Sequence, residues 1–464
     1  MDILLVASEF APWVQHTGVA EVVASFSKTL KQTGHVVSVF TPYRTAYAQS
    51  GLLLARRLSK LRLADSRELT VYDTQLTSGV QLVLVELGVD DPAGFGLRDA
   101  VVFAQAAAAL IDDRGNMGVH TDVVHVHDWL GSLVALAIEQ LDGPRPPTVV
   151  TLHDGIQVPG PADPSELAAL GPFAAAWQGL ADPNLTALAL RTAKGVIASS
   201  HEHARRLATP GQAGALVQEG QSLSQPVLGI PPGVDYSRAN PAIDPQLPTR
   251  FDAEDSEQKA ACKGAFQRQV GLDADIDHPL LFISGPLQGV HGELVVQLLP
   301  ALLDYPVSLV VALHPSDNPA ISEQVRSFAE RWSARCATLP VAGAQISTPA
   351  LGAADFVLLG PASSPLDVNH LFALRYGAIP IAGLVGSHAD ALLDCDAKLQ
   401  TGNCFGFEAW TLEQVLGAVA RGLSAWEQPA FGRLRRRSMR QDLGWERPTR
   451  RAIQLYRQVL GIKV

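Results

Sequence analysis

The chain has 464 residues, enough for two or three domains that each bury a core. Hydrophobic residues make up 47 % of it and the formal net charge is −10, which argues against a general nucleic-acid or acidic-membrane partner. No run of about 20 apolar residues marks a membrane span.

The first residues, Met-Asp-Ile-Leu-Leu, enter a strand with no basic segment before it, so no signal peptide is expected and a cytoplasmic protein is. Ile3 to Ala7 reads as a buried strand and Ser8 to Thr17 as a loop. Val19, Val22, Val23, Phe26 and Leu30 are spaced for one face of a helix. Thr17 or Gly18 can cap its start, and Gly34 stops it. Strand, small-residue loop and helix together make an anion site, because free backbone N–H groups and the helix dipole face the loop.

Strand-like and helix-like segments then alternate. Val36–Phe40, Leu82–Glu86, Asp122–His127, Thr148–Leu152 and Gly195–Ser199 read as strands, with helices over Arg98–Asp112 and from Trp129. Such alternation predicts a parallel sheet with crossover helices. Glu9, His127, Asp128, His153 and Ser200 fall at carboxyl ends of strands, where ligands of these sheets sit. The proline-rich, acidic stretch from Gly229 reads as a junction. A second set follows, with strands at Leu280–Ser284, Leu309–Leu313, Phe356–Leu359 and Ile379–Ala382. Helices are expected at Leu294–Leu303, Ser322–Arg335 and Asn369–Tyr376, and a last one runs to Leu460. The basic run Arg433 to Arg440 reads as a solvated helix face, with polyanion contact as the minor alternative. Cys262, Cys336, Cys395 and Cys404 have no metal-ligand spacing and read as reduced thiols. Neither metal nor cofactor is expected.

The segment S-E-F-A-P-W-V-Q-H-T-G-V-A-E, from Ser8 to Glu21, resembles the S-E-x-A-P-x-x-K-T-G-G-L-A-D opening of bacterial glycogen synthases and plant starch synthases. H-D-W at His127–Trp129, T-L-H-D-G around His153, A-L-R-Y-G at Ala373–Gly377 and the M-R-Q-D-L-G-W-E ending from Met439 resemble the same family. The resemblance implies an α/β fold of GT-B architecture, with two Rossmann-like parallel-sheet domains facing across a cleft. The expected boundaries are residues 1–238 for the first domain, 239–278 for a junction and 279–440 for the second domain. Residues 441–464 are expected as a helix crossing back to the first. It also implies transfer of glucose from ADP-glucose to the end of an α-1,4-glucan such as glycogen, with retained configuration.

Carried over residue by residue, the resemblance makes His153 the sugar-site histidine, against a satisfied strand-end histidine. Glu9, Gly18, Glu21, His127, Asp128, Trp129, Asp154, Arg375, Tyr376 and Gly386 match family positions at the substrate. Asp128 reads equally as a binder of sugar hydroxyls or a helix cap, and Arg375-Tyr376-Gly377 equally as packing or binding. The departures fall on charge. Gln15 stands at the family lysine of the first loop, and Pro286 or Gly285 at an arginine. His291 stands at a second lysine and Ser364 at a glutamate. In the N-x-x-K segment, now Asn184-Leu185-Thr186-Ala187, a further lysine is gone, and G-L-V-G-S-H replaces R-x-T-G-G-L with only Gly386 kept. The chain is therefore expected to have impaired or lost synthase activity and to act as a glucan-binding or regulatory protein. The alternative is an active retaining glucosyltransferase with compensating residues. His16 and His291 are candidate substitutes, because a histidine near phosphate gains proton affinity and carries charge below about pH 6.5, making nucleotide binding strengthen in acid; the alternative is that both are surface residues.

Overall fold

In the computed structural model, residues 1–15, 17–90, 95–116, 120–128, 130–143, 145–153, 170–178, 192–209, 227–341, 345–361 and 366–462 are described, with Ala168, Leu185 and Leu188. The chain forms two units, Met1–Pro232 with Trp445–Val464, and Gly233–Gly444.

The first unit is built on strands β1 (Asp2–Val6), β2 (Val36–Pro42), β3 (Ala55–Arg56), β6 (Val71–Gln75), β7 (Gln81–Val85), β8 (Val123–His127), β9 (Thr148–Leu152), β10 (Gly195–Ala198) and β11 (Leu228–Gly229). Between β3 and β6, β4 (Leu61–Arg62) and β5 (Glu68–Leu69) form a separate small hairpin. The sheet order is β11-β10-β9-β8-β1-β2-β7-β6-β3. From β11 to β7 every pair is parallel, and only the β7–β6 and β6–β3 pairs are antiparallel. The central strands are nearly unbroken apolar runs, as a sheet covered on both faces requires. Phe40 stacks on Phe103 of the helix Leu97–Asn116, ring centroids 5.0 Å apart. The other face takes the helices Val19–Gln32 and Glu446–Val459, joined by Phe26 against Trp445 and by Tyr456 against His125.

The second unit is a six-stranded, all-parallel sheet of β12 (Leu280–Ile283), β13 (Ser308–Leu313), β14 (Cys336–Pro340), β15 (Phe356–Leu358), β16 (Ile379–Gly383) and β17 (Phe405–Phe407). Its order is β14-β13-β12-β15-β16-β17. Residues 239–278, expected as a junction, belong to this unit. They carry the helix Lys259–Gln269 and bury Ala239, Leu247, Phe251, Cys262 and Phe266 against β12 and its neighbours. Proline and acidic residues there make turns within a packed segment. The last helix lies with the first unit, and the exchange comes at Gly444–Trp445. No helix among the described residues is long and apolar enough to cross a membrane.

Candidate active site

Doubly wound sheets gather ligands at the carboxyl ends of their strands, where the strand order reverses. In the first unit the reversal lies between β1 and β8. Glu9 follows β1 but is only 3 % exposed. Its two carboxylate oxygens accept the Thr17 N–H at 3.2 and 3.0 Å, and one also accepts the Thr17 hydroxyl. Thr17 Oγ1 in turn accepts the Val19 N–H at 3.2 Å, which fastens the loop to the first turn of the helix. The Glu9 carboxylate, expected at sugar hydroxyls, is thus engaged inside its own loop. Glu21 is half-buried and accepts the Ser25 hydroxyl at 3.1 Å, one turn along its helix. Gly18, at φ −68°, has ordinary helical backbone.

His125 and His127 alternate with valines on β8, so both imidazoles face one side of the sheet. His125 Nδ1 lies 2.6 Å from the Tyr456 hydroxyl and Nε2 2.6 Å from Thr151 Oγ1. His127 Nδ1 lies 2.7 Å from His153 Nε2, and His153 Nδ1 lies 2.8 Å from Ser199 Oγ. The Ser199 hydroxyl donates to the Leu152 carbonyl at 3.3 Å, an oxygen that only accepts. That assigns the proton of His153 to Nδ1 and the shared proton to His127 Nδ1, because a neutral imidazole has one N–H. The rings of His127 and His153 stack at 5.0 Å, 6° from parallel.

Burial drives His125 and His127 well below the usual imidazole range, with a neighbouring imidazole adding to the effect on each. It lowers His153 to about 3 and His203 to about 4. The string is neutral at physiological pH. His127 Nε2 has no hydrogen-bond partner among the described residues. His127 borders a cavity of about 30 Å³ lined also by Val22, Phe26, Ile197 and Trp445. His153 is 1 % exposed with both ring nitrogens bonded to protein, the arrangement of a satisfied strand-end histidine. Asp128 has left-handed backbone, φ 60°, and its Oδ1 accepts the His153 N–H at 2.8 Å. It ties the end of β8 to the end of β9. Trp129, Asp154 and His16 lie outside the described residues.

In the second unit the strand order reverses between β12 and β15. Gly285 and Gly360 meet there. A Cβ on Gly285 would stand 2.8 Å from the Gly360 Cα. His291 packs behind them, its Nε2 3.2 Å from the Ser284 carbonyl and its ring edge-on to Trp410. It is buried, not a surface residue, and burial lowers it to about 4 against the raising effect of backbone hydrogen bonds. The chain thus has a neutral ring behind this glycine pair. The G-L-V-G-S-H loop turns at Gly386, φ 59°. It brings in His388, which is fully buried. His388 Nδ1 donates to the Gly383 carbonyl at 3.2 Å, and Nε2 lies 3.8 Å from Asp367. Burial works to raise Asp367, but the neighbouring His388 and the Asn369 N–H that donates to it at 2.9 Å outweigh burial and hold the carboxyl below its usual range. Ser364 lies outside the described residues.

Arg375 and Tyr376 both hydrogen-bond within the protein. Arg375 donates to the Met439 carbonyl and to Asn240 Oδ1, and its guanidinium lies over the Tyr236 ring. Tyr376 is fully buried, and its hydroxyl donates to Asp244 at 2.7 Å. Sequence reasoning missed His125, His203, His370, His388 and Trp410. The first had a signal, the i, i+2 histidine pair in V-V-H-V-H. The others converge from distant segments. No group of three or more metal-ligating side chains gathers among the described residues.

The family model described as the starch synthase catalytic domain matches residues 2–219. A glycogen synthase of Anaeromyxobacter sp. (strain Fw109-5) is 30 % identical over 480 residues, covering 99 % of both chains. This chain belongs to the glycogen and starch synthase family. Glycogen synthase 2 of Geobacter sulfurreducens is 28 % identical, covering 98 % of each chain. The catalytic domain of starch synthase IV from Arabidopsis thaliana, solved with ADP and acarbose, superposes with a TM-score of 0.83 at 22 % identity over 99 % of each chain. The fold is that of the GT-B glycosyltransferases, and each parallel sheet is one of its two Rossmann-like units.

Proposed function

We propose that this chain is a glycogen-synthase-like protein of α-1,4-glucan metabolism that binds glucan but transfers glucose from ADP-glucose poorly or not at all. The supporting observation is that His153 and His291, at the positions matched to the family's sugar-site histidine and a lysine, are both buried and neutral and bonded to protein. As a glycosidic bond to a nucleoside diphosphate breaks, negative charge collects on the leaving group. Donors and cations aimed at that charge carry much of the catalysis. Removing one such group typically costs roughly 10²–10³ in rate, and the losses are not additive. With a lysine replaced by Gln15 and another by His291, the expected deficit is at least roughly 10⁴-fold. His291 falls to about 4, so it supplies no charge at pH 6 either.

The test is ADP release from ADP-glucose, with and without glycogen primer, beside an ordinary glycogen synthase, together with co-sedimentation on glycogen. No turnover with glycogen still bound supports the reading. A second reading, an active retaining glucosyltransferase with compensating residues, is favoured by full-length similarity to proteins named glycogen synthase. Primer-dependent turnover within about a hundredfold of the control, less than a single lost donor costs, selects it.

A further inference from the structure

The helix Phe431–Met439 carries four of its nine residues as arginine, and the chain continues to Arg440. Only one of these side chains is spent on a buried carboxylate: Arg435 donates to Asp355 at 2.6 Å. Arg437 donates to the carbonyls of Leu399 and Gly402 at 3.1 and 2.7 Å, and Arg436 to the Ala253 carbonyl at 3.2 Å. Those partners orient guanidinium groups without neutralising them. Arg440 pairs with Glu254, but both side chains are more than half exposed, at 57 % and 61 %, so the pair is screened. Arg433 is exposed and makes no ion pair among the described residues. Arg433, Arg436, Arg437, Arg440 and Gln441 line a concavity of about 490 Å³, within the ordinary size range of small-ligand sites. Four guanidinium groups thus line it, and among the described residues Glu254 is the one carboxylate ion-paired to them, in a chain whose net charge is −10.

We propose that this concavity is a binding site for a small molecule carrying several phosphoryl groups, separate from the site that handles sugar nucleotide and glucan. Like charges three and four residues apart on a helix repel, so the cluster carries unfavourable energy that a bound anion relieves. The negative C-terminal end of the helix dipole offsets only part of that repulsion. Guanidinium forks pair with the oxygens of phosphoryl groups through two parallel hydrogen bonds, which ammonium groups do not. The position also separates the two sites. Asp355, the partner of Arg435, immediately precedes β15, and Gly377, whose Cβ would meet Met439 and Arg435, precedes β16. The arginine helix therefore sits at the amino ends of the strands, whereas Gly285, Gly360 and His388 lie at the carboxyl ends.

The probe is inorganic tripolyphosphate, titrated calorimetrically into the full chain at about 50 mM and again at about 300 mM salt, conditions that bracket a Debye length comparable to the site. Saturable one-to-one binding at low salt, weakened at high salt, is expected. Arg433→Gln and Arg436→Gln should each weaken it by about tenfold, the value of one charge-assisted hydrogen bond, and Arg436→Lys by less. Arg206→Gln, on the helix His201–Ala208, should leave it unchanged. Among the described residues Arg433 has no ion pair to lose, so Arg433→Gln keeps the test decisive if Arg436 variants melt early. The proposal falls if wild type shows no binding at low salt, or if Arg433→Gln binds with wild-type affinity. It falls also if Arg206→Gln is weakened as much, which is diffuse attraction, or if a short acidic peptide binds more tightly than tripolyphosphate.

Discussion

Gly285 has φ +99°, a conformation open to glycine, and its missing Cβ leaves room for the Gly360 backbone at the reversal of the second sheet. Gly285→Ala brings strain and a 2.8 Å backbone approach together, so it should destabilise the protein by about 2–4 kcal/mol. A denaturant titration with an unchanged slope would measure this; a loss under about 1 kcal/mol shows that the loop relaxes freely. Tyr376 poses a different question at the same scale. Its hydroxyl bonds a carboxylate, Asp244, that is 3 % exposed and otherwise accepts the Gln246 N–H at 2.8 Å. Tyr376→Phe should therefore cost about 1.5–3 kcal/mol by thermal melting. Glucan binding should not change, since the hydroxyl is turned into the protein. A selective loss of glucan affinity would restore Tyr376 to the ligand.

Two short helices of the second unit, Thr348–Ala353 and Asn369–Arg375, end on the same side chain. Lys259, 2 % exposed, donates from Nζ to the carbonyls of Leu351, Gly352 and Tyr376 at 2.9, 3.0 and 3.0 Å. These are carbonyls that a helix end leaves without partners, and the ammonium also meets the negative end of each dipole. Lys259→Met keeps the stem's packing but orphans all three, so a loss of about 3 kcal/mol or more is expected in equilibrium unfolding. An unchanged midpoint means that water takes over the carbonyls. In the first unit, Ser200 caps the helix His201–Ala208 by accepting the His203 N–H at 2.8 Å. Ser200→Ala should cost about 1 kcal/mol, and Ser200→Asp should cost less than that.

Across the whole molecule, His125, His127, His153, His203, His291 and His370 are all held below their ordinary range by burial. The unfolded chain takes up their protons near pH 6.5 and the folded chain does not. Below that pH the unfolded state binds more protons, so stability falls as pH falls, by about 1.4 kcal/mol per pH unit for each histidine still neutral. The loss starts near pH 6.5 and continues toward the folded values of about 3 to 4. The unfolding temperature should therefore drop steeply between pH 6.5 and 4.5. A profile flat over that interval shows that the imidazoles are hydrated.

The two sheets were legible in the sequence because their strands are buried on both faces and so read as apolar runs: L-L-V at β1, T-V-V-T-L at β9, S-L-V-V-A-L at β13. Residues 239–278 were not. Proline and acidic side chains serve a packed turn segment as readily as a linker, and only the contacts of Phe251, Cys262 and Phe266 tell them apart. At the site, the sequence placed His127, Asp128 and His153 at strand ends, since element order fixes which residues follow a strand. It did not show that His153 is bonded on both sides, because Ser199 and His127 reach it from other strands.

By itself, then, the sequence determined the family and the parallel-sheet pattern, both properties of residue identity and local order. Tertiary structure alone decided whether a matched side chain faces a ligand or the protein. His153 and Tyr376 turn inward because their hydrogen-bond partners His127 and Asp244 lie 26 and 132 residues away, which no local pattern records.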